Sequence, residues 1–146
     1  MMLNILSWNI QYGKGVDGQI NLKRIREGIL ETADVDIICL QEVSRNDPNI
    51  DGGADQATLF QDLFPKYKMF FGPAYDRSGG MNGGRRQFGN LLLSRTTVKQ
   101  VIHQALPSPP DPAHHFMLRQ ASEFQLVHRD KPLRLLNTHL ELSLIH

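Results

Sequence analysis

The sequence predicts a mixed α/β fold, either α+β or a layered mixed sheet with two helices on one face, and two observations carry that prediction. Up to about residue 71, short apolar runs of strand character alternate with amphipathic helical stretches, while from Phe88 onward strand follows strand. The alternation a doubly wound parallel sheet needs is therefore missing from the second half. With 146 residues, 40% of them apolar, there is material for one core and too little for two comfortable domains.

The first strand is expected over Leu3 to Trp8, with Leu3, Ile5 and Ser7 on one face and Leu6 and Trp8 on the other. Apolar character on both faces suits a central strand covered on two sides. Asn9 to Ile20 is a polar loop with several glycines. Asn21 is placed to cap a helix running to about Ala33, with Leu22, Ile25, Ile29 and Ala33 on one stripe. After a polar break at Asp34 to Asp36, Ile37-Ile38-Cys39-Leu40 is a buried strand ending at Gln41-Glu42. Two strands joined by a helix are expected to be parallel neighbours. A second helix spans Ala54 to Phe64, with Ala57, Phe60, Leu63 and Phe64 inward, and Pro65 ends it. Tyr67 to Phe71 is a third strand. Gly72 to Gln87, glycine-rich and carrying Arg77, Arg85 and Arg86, reads as a functional or mobile loop. Strands follow at Phe88–Ser94, Val98–Gln104, Leu118–Val127 and Leu133–Thr138, the last two joined as a hairpin through His128 to Pro132. A proline-rich stretch, Pro107 to Pro112, separates the middle pair.

Sixteen Lys and Arg against fifteen Asp and Glu leave a net charge of +1, which argues against a strongly basic coat for nucleic acid and an acidic disordered tail while leaving room for local basic patches. Cys39 is the only cysteine, so an intrachain disulfide and a thiolate zinc cluster are excluded; lying between Ile38 and Leu40, it reads as an inert core thiol. No run approaches the roughly 20 apolar residues of a membrane span. The first residues lack a basic leader and an apolar signal segment, so a cytoplasmic location is expected. Trp8, Phe60 and Phe64 are read as core.

Three apolar strands end in a polar residue that packing does not require: Asn9, Glu42 and His139. Ligands of sheets with helical crossovers gather beyond the carboxyl ends of strands. If those strands are close and share a direction, an amide, a carboxylate and an imidazole converge. Glu42 with Asn9 suits a hard cation such as Mg2+, which takes one or two carboxylates and keeps waters. Such an ion offsets charge developing on a phosphoryl group, and His139 is suited to orient or protonate a phosphate oxygen. Arg85 and Arg86 are candidate phosphate contacts, since guanidinium forks match phosphate oxygens; a solvated loop pair is the plainer alternative. His114-His115 has no carboxylate neighbour in sequence and is assigned no metal.

A rival reading uses Gly13-Lys14-Gly15-Val16-Asp17-Gly18, which fits the G-x-G-x-x-G of a dinucleotide-binding domain, with Glu42 as the following acid. Against it, Gln19, Ile20 and the cap at Asn21 separate the glycines from the helix they should open. Asp17-Gly18 is more simply a turn.

Four segments in order, Leu6-Ser7-Trp8-Asn9-Ile10, Leu40-Gln41-Glu42-Val43, Gly89-Asn90-Leu91-Leu92-Leu93-Ser94-Arg95 and Leu136-Asn137-Thr138-His139-Leu140, resemble the endonuclease/exonuclease/phosphatase superfamily, the deoxyribonuclease-I-like fold. Gly15-Val16-Asp17-Gly18 is similar to its bacterial metal-dependent hydrolase branch. The resemblance implies a four-layered α/β sandwich and cleavage of phosphoester bonds with Mg2+ or Mn2+. It implies Asn9 and Glu42 as active-site and metal-binding positions, His139 as the phosphate-binding histidine, and Asn90 and Arg95 as mainly structural. Its substrates are phosphate esters, nucleic acid among them.

The resemblance also implies two later motifs, one like Gly-Asp-Phe-Asn and one like Ser-Asp-His, that the 146 residues do not contain. The expectation is therefore the N-terminal half of a family domain, residues 1–146, with no evident general base and little or no activity alone. A non-catalytic binding or assembly module is the alternative. A sheet meant to pack on more structure leaves an apolar face uncovered, so self-association is expected. Sedimentation velocity at rising concentration tests it: a monomer that binds no apolar dye refutes it.

Overall fold

In a computed structural model, residues 2–108 and 118–140 are described. The proline-rich stretch falls partly, and His114-His115 wholly, outside them. A four-stranded sheet has the order β1-β2-β4-β3 and a three-stranded sheet the order β5-β6-β7. The strands are β1 (Ile5–Asn9), β2 (Ile37–Arg45), β3 (Lys68–Arg77), β4 (Arg86–Ser94), β5 (Val98–Leu106), β6 (Arg119–His128) and β7 (Lys131–Thr138). The two longer helices are α1 (Leu22–Thr32) and α2 (Gln56–Leu63). The β1–β2 pair joined through α1 is parallel, as expected, and the remaining pairings are antiparallel.

α1 begins where its expected cap, Asn21, places it, whereas α2 begins at Gln56, two residues after the expected Ala54, behind a cap at Asp55. Asn21 accepts the Arg24 N–H at 3.0 Å and Asp55 the Thr58 N–H at 3.2 Å, each satisfying a donor that the first helical turn leaves unpaired. The stripe Leu22, Ile25 and Ile29, the α2 residues Ala57 and Phe60, and Phe64 just after α2 are buried against Ile38, Leu40, Val43, Leu91 and Leu93 of the first sheet. Its other face packs on the second sheet through Ile37, Cys39, Leu92, Phe124 and Leu126. The result is helix, sheet, sheet. Cys39 is buried here and burial pushes its thiol up to about 12, so it is inert.

Asp55 also receives both arms of the Arg45 guanidinium at 2.8 Å. Burial raises the Asp55 carboxyl, but Arg45 and the Thr58 donors together outweigh it and hold it below its ordinary 3.8. A carboxyl lowered in the folded state stabilises above the unfolded value and loses that contribution as pH falls through the folded one. Asp55→Ala is therefore expected to cost about 1–2 kcal/mol at pH 7. The deficit, measured by urea unfolding, should shrink as pH drops below about 3.8.

Two further expectations are corrected. Among the described residues β1 lies at the edge of its sheet rather than at its centre, with Ile5 48% and Trp8 39% exposed, so Trp8 is not core among them; Phe60 and Phe64 are. Trp8 lies over α1, where even a Cβ at Gly28 would stand 3.5 Å from its ring. The third strand does not stop at Phe71: β3 and β4 run on as a ladder to Arg77↔Arg86, so half of the presumed loop is strand. Backbone pairing, the stacked Tyr75 and Phe88 rings 6.0 Å apart and Arg77 over Tyr75 hold a segment whose Gly, Pro and charges hid its strand character. The rival dinucleotide reading, argued against in the sequence, is not met: the glycine loop is the turn expected there. Lys14 bridges Ile20, Gly18 N–H closes a turn on Gly15, and Arg24 grips Asp17, while Asn21 occupies the start of α1.

A candidate active site at the strand tips

Asn9, Glu42 and His139 come together at one end of the sandwich. Asn9 Nδ2 donates to Glu42 Oε1 at 3.1 Å, and His139 Nδ1 lies 3.7 Å from the same oxygen. Asn9 and Glu42 come from adjacent parallel strands of one sheet, and His139 follows β7 of the other.

Glu42 owes its position to a β-bulge. The β2–β4 register shifts between Leu40 and Val43, and Glu42 has φ +59°, a left-handed backbone. Leu40 and Val43 both pack into the helix-side core, so Gln41 and Glu42 together take the place of one residue between them. In a regular strand Glu42 would share a face with Leu40 and meet the helices. The strain, of order 1–3 kcal/mol, is the kind that gathers at functional sites.

The segment after Asn9 is strained as well, with φ +46° at Gln11 and +45° at Tyr12. Asn9 Oδ1 accepts the Gln11 N–H at 3.1 Å. Gln56, fully buried at the start of α2, clamps both irregular segments: its Nε2 donates to Tyr12 O at 2.9 Å and its Oε1 accepts Ser44 N–H at 3.1 Å.

Glu42 and His139 line a cleft with Tyr75, Asn90, Arg119 and Gln120. Of these, Tyr75, Arg119 and Gln120 carry no mark in sequence as site residues, since only the folding of β3 and β6 brings them there. Arg119 Nη1 is 3.1 Å from His139 Nδ1. A guanidinium only donates, so Nδ1 accepts and the ring proton sits on Nε2. Tyr75 donates to Asp47 at 2.8 Å, and burial together with that carboxylate pushes its phenol up to about 12, so it stays protonated.

Arg85 and Arg86 do not line this cleft. Arg85 is paired with Asp76 on the neighbouring strand, and Arg86 lies 3.8 Å from the buried Asp47. Arg95 is bound to Asp34 and Asp36, tying β4 to the start of β2.

The donor set fits a hard, water-rich ion. Among the described residues no three His, Cys, Asp or Glu side chains gather. A carboxylate with an orienting amide is a donor set that would suit Mg2+ or Mn2+. Asn9 turns its nitrogen to Glu42 and its oxygen to Gln11, so it orients the carboxylate.

No curated protein matches the chain in sequence. Among solved structures, an endonuclease/exonuclease/phosphatase from Beutenbergia cavernae DSM 12333 superimposes with a TM-score of 0.74 at 22% identity, covering 94% of this chain and 38% of that one. A family protein from Leptotrichia buccalis C-1013-b gives 0.68 at 14% identity, covering 99% and 57%. The human Nocturnin catalytic domain, solved with a bound sulfate anion, gives 0.61 at 20%, covering 95% and 49%. The chain thus spans between 38% and 57% of the length of these structures, which share its fold. The profile of the Endonuclease/Exonuclease/phosphatase family matches residues 6–134, nearly the whole chain, and the chain belongs to that family.

Proposed function

We propose that this chain carries the ion- and phosphate-holding part of a metal-dependent phosphoester hydrolase. The supporting observation is the convergence of Asn9, Glu42 and His139, a carboxylate, an amide and an imidazole drawn from three strand tips. A bound Mg2+ or Mn2+ supplies Lewis-acid neutralisation of phosphoryl oxygens. Glu42 holds the ion, and Asn9 keeps the carboxylate turned toward the cleft. His139, with its proton on Nε2, donates to a phosphate oxygen while Arg119 holds the other ring nitrogen. Arg85 and Arg86, outside the cleft and held by Asp76 and Asp47, take no part in this reading. The sulfate on the Nocturnin domain, a tetrahedral oxyanion of phosphate's shape, accords with this reading.

Neither later motif is present in the 146 residues, so binding without appreciable turnover is expected of this chain alone. The test is calorimetric titration with Mn2+, followed by an assay on bis(p-nitrophenyl) phosphate. Mn2+ should bind with Kd on the order of 1 mM, about −4 kcal/mol, and hydrolysis should stay at background. No Mn2+ binding overturns the ion site, and metal-dependent hydrolysis overturns the expected inactivity.

A further inference from the structure

The sandwich interior changes character along its length. Far from the cleft, the facing residues of β2, β6 and β7 are apolar: Ile37 and Cys39, Phe124 and Leu126, and Leu135. One step from the cleft they become buried amides. Gln41 Nε2 donates to Asn137 Oδ1 at 2.8 Å across the gap between sheets, and Asn137 Nδ2 donates to Leu91 O of β4 at 3.0 Å. Gln41 Nε2 also reaches Ser7 Oγ of β1 at 3.2 Å. Ser7 and Asn137 each stand two residues before a site residue, Asn9 and His139, and Gln41 stands one before Glu42. A chain Ser7–Gln41–Asn137 therefore runs directly beneath Asn9–Glu42–His139, through the same three strands in the same order.

We propose that the Gln41–Asn137 amide pair positions the site, setting the separation of Glu42 and His139 by locking the two sheets in register immediately below them. The inference deepens the ion-binding reading above and names two positioning residues for it. Apolar side chains packed between two sheets resist separation but tolerate small slides, because their attraction is nearly non-directional. Amide hydrogen bonds are directional, and in a buried setting a lost partner leaves a polar group unsatisfied. Gln41 adjoins the bulge and Asn137 lies on the His139 face of β7, so a slide of one sheet on the other reaches both cleft residues at once. The general packing of the sandwich does not need this pair, since isosteric apolar residues would fill the same volume.

Three variants decide it: Gln41→Met, Asn137→Leu and, as a control that loosens the same interface far from the cleft, Leu126→Val. Two quantities are read on the folded proteins, the Mn2+ dissociation constant and the 15N–13C ring resonances of His139. Gln41→Met and Asn137→Leu should each weaken Mn2+ roughly tenfold or more, as loss of a supporting hydrogen bond behind a metal ligand does. Each should also shift or broaden the His139 ring signals. The double variant should be no worse than the worse single, because either change breaks the same bond. Leu126→Val should lower the thermal midpoint and leave both readouts in place. Unchanged Mn2+ affinity and His139 signals in the two amide variants, or equal changes in Leu126→Val, overturn the proposal. If the unaltered chain binds no Mn2+, the ion reading falls and the His139 resonances alone judge the positioning role. Should either amide variant fail to fold, the shorter Gln41→Asn, which keeps the polar group but not its reach, supplies the same comparison.

Discussion

Glu42→Gln should abolish Mn2+ binding while leaving the fold as stable as before. Calorimetry should show the millimolar association of the unaltered chain falling at least tenfold, beyond detection, because a neutral amide oxygen replaces the only carboxylate of the trio. The fold should not suffer, since glutamine keeps an oxygen that accepts from Asn9 Nδ2 at the 3.1 Å position. Glu42→Gly sharpens the point. At φ +59° a glycine sits without the penalty a side chain meets, so this variant should unfold about 1 kcal/mol later than the Gln variant and also fail to bind. A residue whose removal improves stability and eliminates binding is held where it is by function. Mn2+ affinity unchanged in Glu42→Gln would remove Glu42 from the site.

Gly89→Ala should be among the most damaging single substitutions in the chain. A Cβ at Gly89 would stand 2.1 Å from Gly72 O and 2.9 Å from Ala74 N and Pro73 Cα, all backbone of the adjoining β3. No side chain can rotate aside to make room; the β3–β4 pairing at Pro73↔Gly89 must open at the point where its register already shifts. Overpacking of this kind costs about 3 kcal/mol, and here the strain falls at Asn90 and Tyr75, both of which line the cleft. Urea denaturation should show the loss directly. A midpoint within experimental error of the parent would mean that the two strands do not approach as described.

Much of the fold was legible because it rests on local rules. Asn21 marks the start of α1 by chemistry that operates within three residues, and the stripe of Leu22, Ile25 and Ile29 faces the core because the helical period puts it there. The hairpin between β6 and β7 follows a polar break; its two turn residues, Arg129 and Asp130, both take left-handed backbone, as the twist of the flanking strands demands. The reading failed where neighbours in space decide. Trp8 looked like core because its own strand is apolar, yet burial depends on what lies beside β1, and among the described residues β1 is at the edge. Residues 72 to 77 looked like loop because alternation is broken there, yet the β4 backbone supplies their hydrogen bonds.

The candidate site divides along the same line. Sequence by itself determined the family, the mixed α/β class and the three polar residues that close apolar strands, because strand ends and motif order are properties of the chain read in one direction. Tertiary structure alone decided that Glu42 turns out of its strand, since the bulge exists only in register with β4. It alone brought Arg119 within 3.1 Å of His139 and set the Gln41–Asn137 pair across the gap. Those contacts join residues 20 and 96 positions apart, and no local propensity encodes a distance across two packed sheets.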